Sequence, residues 1–172
     1  YKAKATVGVH EGKLTVLDVF CRQCDIQTAM DYHFTRAKKV LRQTSALVSY
    51  YDASVAQEAV YEQQWLQAGR KHNMFFLPLP QKSHVDKYIK IDTTLIGVLT
   101  SGTLAFSEEL GNNPDWAEAK AQMLNFEKGG KYPIDFPDAL SDAIIKAQEL
   151  IGFDANDEII KPVFGLRKRG NY

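Results

Sequence analysis

Two runs of alternating apolar and polar residues open the chain. They predict β-strands at residues 2–10 and 13–21, and the Glu11-Gly12 dipeptide between them suits the tight turn of an antiparallel hairpin. The apolar side chains of the second run fall on two faces, with Leu14, Val16 and Phe20 on one and Leu17, Val19 and Cys21 on the other. Because both faces are apolar, this strand is expected to lie inside a sheet that is covered on both sides.

Helix and strand signals alternate along the rest of the chain. Helices are predicted at residues 26–42, 55–69, 86–99 and 114–126, and strands at 46–51, 74–77 and 103–106. A last helix is predicted to start near Asp135, and its apolar stripe consists of Leu140, Ile144, Ala147 and Ile151. A hairpin followed by alternating helices and strands predicts an α/β fold with a mixed sheet.

Composition narrows the class of protein. With 172 residues, of which 45% are hydrophobic, the chain is long enough for one domain with a real core. Residues 1–160 are expected to form this domain, and the basic tail at 161–172 is expected to be poorly ordered. Neither an apolar run of roughly 18 residues nor a signal-peptide pattern is present, which predicts a soluble intracellular protein without membrane contact.

Carboxylates at the ends of predicted elements are the main chemical signal. Asp52 ends a predicted strand, and Asp135, Asp138 and Asp142 lie at or just inside the start of the last helix. One interpretation is helix capping, since Asp52 and Asp135 suit N-cap positions and Asp138 the third helical position. The other is a shared divalent metal, for which a two-metal nuclease needs carboxylates from separate elements. Oxygen ligands favour Mg²⁺ or Mn²⁺ over zinc.

Two other features allow more than one interpretation. Asp18 lies within an apolar strand, where a carboxylate must be hydrogen-bonded, ion-paired or bound to metal. Cys21 and Cys24 form a single Cys-x-x-Cys, which is half a zinc site, a redox pair or two reduced structural cysteines. The histidines do not recur at a spacing that would complete a zinc site, so reduced structural cysteines are the expectation.

Basic residues cluster in several short stretches. The clusters at residues 36–42, 70–72, 82–90 and 167–169 each suit either a solvated helix face or contact with a phosphate backbone. The residues predicted to contact DNA are Lys82, Lys87, Lys90, Arg70 and Lys71.

Four stretches occur together in an order that a known family shares. They are residues 13–20, residues 50–58, residues 87–91, and a closing motif that comprises Gln122, Phe126, Gly129-Gly130 and 135–140. Taken together they resemble the C-terminal nuclease domain of the large terminase subunit of tailed bacteriophages, a member of the RNase H-like superfamily. The resemblance implies an RNase H-like α/β fold, with a mixed central β-sheet flanked by helices on both faces.

The resemblance also implies a function and a site. It implies an endonuclease that cuts concatemeric double-stranded DNA during viral packaging, with two Mg²⁺ or Mn²⁺ ions. Asp52, Asp138 and Asp135 would be the catalytic acids and metal ligands, and Asp142 and Asp18 weaker metal candidates. The family's first catalytic Asp lies on a strand before the hairpin, at a position upstream of Tyr1.

The resemblance also implies binding partners, and two alternative interpretations of the function stay open. The implied partners are double-stranded DNA, the terminase ATPase domain, the small terminase subunit and the portal protein, in the cytoplasm of a bacterial host. The alternative is a non-catalytic module of the same fold that binds DNA or docks onto a packaging partner. An α/β domain of unrelated function is the third interpretation, if the acids are only helix caps.

Overall fold

The predicted hairpin opens the structure. The computed structural model describes residues 1–44, 46–52 and 58–151, with the side chains of 58–61 excepted. Strand β1 (Lys2–His10) pairs antiparallel with β2 (Lys13–Arg22). Glu11 and Gly12 between them have φ angles of 48° and 72°. Two consecutive positive φ angles are typical of a type I′ turn, whose twist matches that of the strands it connects.

A β-bulge interrupts this hairpin at Leu17. Thr6 pairs with Asp18 and Val7 pairs with Val16, so Leu17 is an extra residue in β2. The carbonyl oxygen of Leu17 accepts a hydrogen bond from Arg36 Nη2 at 3.1 Å. The bulge therefore shifts the alternation of side chains along β2 by one position.

The predicted division of the β2 side chains between two faces is wrong for this reason. Leu14 and Val16 share one core with Val19 and Cys21, which were expected on the opposite face. Phe20 lies instead on the other face, where its ring centroid is 4.6 Å from that of Tyr32. Both faces of the strand are covered, as predicted, but with a different distribution of residues.

Five helices and three short strands follow the hairpin in the described part of the chain. The helices are α1 (Ile26–Leu41), α2 (Glu58–Lys71), α3 (Lys87–Thr100), α4 (Trp116–Leu124) and α5 (Asp135–Ile151). The strands are β3 (Tyr50–Asp52), β4 (Leu79–Gln81) and β5 (Leu104–Phe106). A 3-10 helix at Glu108–Asn112 separates β5 from α4.

Two of the predicted strands are displaced. The strand expected at residues 74–77 lies at β4 instead, and the strand expected at 46–51 narrows to β3, which includes Asp52. Pro80 within β4 is compatible with its place at the edge of a small sheet. The predicted start of the second helix, at residues 55–57, lies outside the described residues.

The strands form two sheets. β5 pairs parallel to β2, giving the order β1-β2-β5, while β3 and β4 form a separate parallel pair. Antiparallel and parallel pairing within the first sheet confirms the predicted α/β class with a mixed sheet. The predicted single central sheet is divided in two in the described part of the chain.

Helices α3, α4 and α5 cover one face of the hairpin. Their buried residues include Ile91, Leu95, Val98, Ala119, Phe136, Leu140 and Ile144. Helix α5 begins at Asp135 itself, so Asp135 is not the N-cap that the sequence suggested. Gln122, which is fully buried, accepts the backbone N–H of Phe136 through Oε1 at 2.9 Å. A side chain of α4 thereby satisfies a donor in the first turn of α5.

Helix α1 covers the other face, and α2 packs behind it. Asp25 caps α1 by accepting the backbone N–H of Thr28 at 2.7 Å. A second core forms around Met30, Phe34 and Ala68, with Trp65 and Phe76 packed against it. Within the residues that the structure describes, no helix combines the length and the apolar character needed to cross a membrane.

His33 is a titratable group buried in this second core, and it predicts an acid-sensitive fold. Its ring centroid lies 5.0 Å from that of Trp65 and 5.2 Å from that of Phe34. Burial, aided by the charge of Lys4, lowers the pKa of His33 from 6.5 to about 2. Below about pH 6.5 the unfolded chain binds this proton and the folded chain does not. The free energy of unfolding therefore decreases as the pH is lowered below about 6.5, by up to about 1.4 kcal/mol per pH unit.

Urea unfolding followed between about pH 7 and pH 4 tests this expectation. His33→Leu should remove the part of the pH dependence that begins near pH 6.5. His10→Leu is the matched control, because the His10 side chain is 89% exposed and its replacement should leave the slope unchanged. Equal slopes for the wild type and His33→Leu would contradict the assignment.

Candidate functional site

A buried lysine joins two carboxylates of α5. Asp138 and Asp142 are four residues apart and therefore lie on one face of the helix. Lys90 Nζ lies 2.8 Å from Asp138 Oδ1 and 2.7 Å from Asp142 Oδ1, and Lys87 Nζ lies 3.1 Å from Asp138 Oδ2. Lys87 and Lys90 come from the first turn of α3, so this lysine–carboxylate cluster (Lys87, Lys90, Asp138 and Asp142) connects α3 to α5.

Lys90 remains an ammonium in this environment. It is 7% exposed, and burial alone lowers its pKa. The hydrogen bonds and charges of Asp138 and Asp142 outweigh burial, so the pKa of Lys90 is raised overall. A buried cation with two anionic partners is stable only because the partners compensate its lost hydration.

The pKa of Asp142 depends on its burial and on the charges of its neighbours. Burial is the largest cause that raises its pKa; Lys90 acts in the opposite direction, and the negative charges of Asp138 and Asp52 raise it further. Gln81 Nε2 donates a hydrogen bond to Asp142 Oδ1 at 3.1 Å. The small β3-β4 sheet therefore interacts with α5 at Asp142. Gln81 of β4 donates a hydrogen bond to this carboxylate, and the charge of Asp52 on β3 raises its pKa.

A cavity of about 930 Å³ contains the predicted acids. Residues of β1 and β3 line two of its sides, and residues of α1 and α5 line the other two. The carboxylates that line it are Asp52, Asp135, Asp138 and Asp142. These are the four acids of the predicted site in the strand and the last helix, and they come from two separate elements. Their role as metal ligands stays a prediction.

The donor chemistry of these acids suits a hard divalent cation. All are carboxylates, the ligand type that Mg²⁺ and Mn²⁺ prefer. Asp138 Oδ1 is buried, and its contact is the ion pair with Lys90 Nζ at 2.8 Å. In the part of the chain that the structure describes, no three acidic, His or Cys side chains stand in a metal-binding arrangement. The residues thus suit the ion in charge and ligand type, whereas the described side chains are not arranged around one ion, and Lys90 Nζ lies between Asp138 and Asp142.

Asp18 belongs to a different environment. It accepts hydrogen bonds from Tyr32 Oη at 2.8 Å and from Asn113 Nδ2 at 3.1 Å, and Arg36 Nε lies 3.4 Å from its Oδ2. These partners meet the requirement that burial imposes on a carboxylate in an apolar strand. Asp18 is not among the residues that line the carboxylate cavity, which favours a structural role over metal binding.

The basic residues that were predicted to contact DNA are in different situations. Lys90 is buried between carboxylates, so its ammonium is committed to the protein. Lys71 Nζ lies 2.6 Å from Asp31 Oδ2, whereas Arg70 and Lys82 are exposed. Lys87 lines the cavity and its side chain is 42% exposed. Of the five, Lys87 is the one that combines exposure with a place beside the acids.

The two cysteines are reduced and weakly acidic. Both are free thiols, and burial is the main cause that raises the pKa of Cys21 to about 12 and also raises that of Cys24. A nucleophilic or metal-binding cysteine requires the thiolate. The structure therefore favours reduced structural cysteines over a redox pair.

Sequence reasoning missed the partners of the acids. Lys90 was assigned to DNA, and Gln81 was assigned no role. A signal was present, because lysines three apart on one helix and aspartates four apart on another form complementary charged faces. Gln81 gave no such signal.

No family model matches the chain, and no curated protein matches it either. The terminase resemblance therefore depends on the four stretches of sequence alone.

Replacing Lys90 tests the energetic importance of the cluster. Lys90→Met leaves the partly buried Asp142 without its lysine and Asp138 with Lys87 alone. We therefore expect the free energy of unfolding to fall by about 3 kcal/mol, the lower end for a broken buried pair. Lys87→Met is the matched control on the same helix, and its partly exposed ion pair should cost only about 0–1 kcal/mol. Urea denaturation at neutral pH measures both, and a Lys90→Met variant as stable as the wild type would contradict this assignment.

Proposed function

We propose that this chain is the metal-dependent endonuclease domain of a viral DNA-packaging terminase, with an RNase H-like fold. It would cut concatemeric double-stranded DNA by two-metal hydrolysis of phosphodiester bonds, in the cytoplasm of a bacterial host. The observation that carries the proposal is that Asp52 from β3 and Asp138 and Asp142 from α5 line one cavity. Their charges are close enough for Asp52 and Asp138 to raise the pKa of Asp142.

The fold and the partners follow from the same resemblance. A hairpin covered by helices on both faces, followed by strands that alternate with helices, is compatible with an RNase H-like domain. Its partners would be double-stranded DNA, the terminase ATPase domain, the small terminase subunit and the portal protein.

Asp52, Asp138 and Asp142 would hold the divalent ions, with Asp135 beside them. When bound, Mg²⁺ or Mn²⁺ activates a water and stabilises charge on the scissile phosphate. Lys90 holds the two α5 carboxylates at a fixed position and partly neutralises their repulsion. Lys87, exposed at the edge of the cavity, is placed to contact a DNA phosphate.

The raised pKa of Asp142 predicts that cation binding depends on pH. Because its pKa is raised, part of its population is protonated at a pH where an ordinary aspartate is fully charged. A cation needs the carboxylate form, so affinity should rise with pH through the pKa of Asp142. The affinity for the cation as a function of pH can therefore be measured independently of DNA cleavage.

Metal binding and plasmid nicking test the proposal together. The protein tested is extended upstream of Tyr1, where the resemblance places the first catalytic Asp. We expect Mn²⁺ titration by calorimetry to give saturable binding, and this extended protein to nick supercoiled plasmid in the presence of Mn²⁺. Asp52→Asn and Asp138→Asn should each reduce nicking by about 100-fold or more with the fold retained by circular dichroism, because each removes a ligand charge. Asp92→Asn, at an exposed position of α3, should nick like the wild type.

Two results would count against the nuclease. Folded Asp52→Asn and Asp138→Asn variants that nick at the wild-type rate would remove these acids from the reaction. Saturable Mn²⁺ binding without any nicking would make the acids a metal site but not a nuclease centre.

A non-catalytic module that binds DNA or docks onto a packaging partner is the second candidate. The observation that favours it is Lys90, which already compensates Asp138 and Asp142 without a metal. It predicts binding of duplex DNA in EDTA, with an affinity that falls steeply as salt rises. Fluorescence anisotropy over a salt series measures this, and Lys87→Met should reduce the slope. DNA binding that requires Mn²⁺ would contradict it.

A further inference from the structure

The lysine–carboxylate cluster is electrically balanced by the protein itself. The ammonium groups of Lys87 and Lys90 lie against the carboxylates of Asp138 and Asp142. A divalent ion would need the same negative charge that these two lysines already compensate. Within the cluster, therefore, no net negative charge is left to attract a further cation.

The carboxylate oxygens are also engaged. Lys90 Nζ lies 2.8 Å from Asp138 Oδ1 and 2.7 Å from Asp142 Oδ1. Gln81 Nε2 donates a hydrogen bond to the same Asp142 oxygen at 3.1 Å, and Lys87 Nζ lies 3.1 Å from Asp138 Oδ2. Three of the four oxygens thus already contact a nitrogen donor.

Lys90 has the contacts that a bridging cation would have. Its ammonium reaches one oxygen from each aspartate, and metal–oxygen distances are about 2.0–2.6 Å. Any divalent ion bound to either of these two oxygens would therefore lie within about 5 Å of Lys90 Nζ. At that distance, in a partly buried site, the two positive charges repel each other strongly.

Burial makes the ammonium depend on the same oxygens. Lys90 is 7% exposed, so its carboxylate partners compensate most of the hydration that it has lost. An ion that took one of these oxygens would leave a buried ammonium with fewer partners. Lys90 thus opposes a second cation in two ways, by repulsion and by its own need for the oxygens.

We infer that the Lys90 ammonium is the resident cation of Asp138 and Asp142 and that it keeps their affinity for divalent ions low. This explains why the described acids suit a divalent ion in charge and ligand type but are not arranged around one. The inference concerns the regulation of the proposed metal site and in that respect rests on the proposed function. It is tested by cation binding and lysine labelling, without DNA.

Mn²⁺ titration by calorimetry of the upstream-extended protein gives the first test. Lys90→Met should bind Mn²⁺ about 10-fold or more tightly than the wild type, because it removes the repelling charge. Adding Asp142→Asn to Lys90→Met should remove this gain, which would locate it at the pair. If Lys90 only held the acids in place, Lys90→Met would instead weaken Mn²⁺ binding.

Two further variants separate charge from packing. Lys90→Arg keeps the positive charge and should bind Mn²⁺ no more tightly than the wild type. Lys120→Met, at an exposed position of α4 outside the cluster, is the matched control and should titrate like the wild type.

Labelling of the wild-type protein keeps the inference testable if Lys90→Met does not fold. N-hydroxysuccinimidyl acetate acetylates accessible amines, and tandem mass spectrometry distinguishes Lys87 from Lys90. We expect Lys90 to react about 10-fold or more slowly than the exposed Lys120, because its amine is buried and ion-paired. Saturating Mn²⁺ should speed the reaction of Lys90, whereas NaCl at the same ionic strength should not.

The outcomes distinguish this inference from the nuclease proposal. If folded Lys90→Met binds Mn²⁺ no more tightly than the wild type, the inference is wrong and the nuclease proposal stands. Tighter binding by Lys90→Arg, or labelling of Lys90 that Mn²⁺ leaves unchanged, would also overturn the inference. Absence of Mn²⁺ binding in every variant would overturn both. Tighter binding by Lys90→Met without any nicking by the wild type would support the inference and overturn the nuclease.

Discussion

The ammonium group of Lys90 is the constraint on which the arrangement of this site depends. Without it, Asp138 and Asp142 would be two partly buried anions on one helix face, with only the partly exposed Lys87 beside Asp138. Burying the pair with its cation has a desolvation cost, but it fixes a single geometry between α3 and α5. Helix α5 in turn packs along β1, so the position of the acids relative to the hairpin also depends on this contact.

The Lys90 ammonium would also affect how Asp138 and Asp142 bind a divalent cation. Asp138 and Asp142 are compensated by Lys90, whereas the field of Asp52 still acts on Asp142 and raises its pKa. A divalent ion that reached these carboxylates would meet oxygens already positioned by Lys90, and it would compete with the ammonium for the oxygens that both need.

Local patterns in the sequence were sufficient for the hairpin and the helices. Alternation and helical periodicity depend on neighbouring residues, and the end of a strand and the start of a helix are visible in them. The bulge at Leu17 was not visible, because it depends on how β1 and β2 pair and not on the period of either run. The displacement of β4 to Leu79–Gln81 likewise depends on its pairing with β3.

The sequence pattern also could not identify interaction partners that are distant along the chain. Asp18 was expected to need a partner, but Asn113 is 95 residues away and carries no signal of its own. Lys90 is 52 residues from Asp142, and a lysine within a basic stretch more commonly faces solvent. Such pairs become identifiable only when the packing of the helices is known, because burial is what gives the charge its importance.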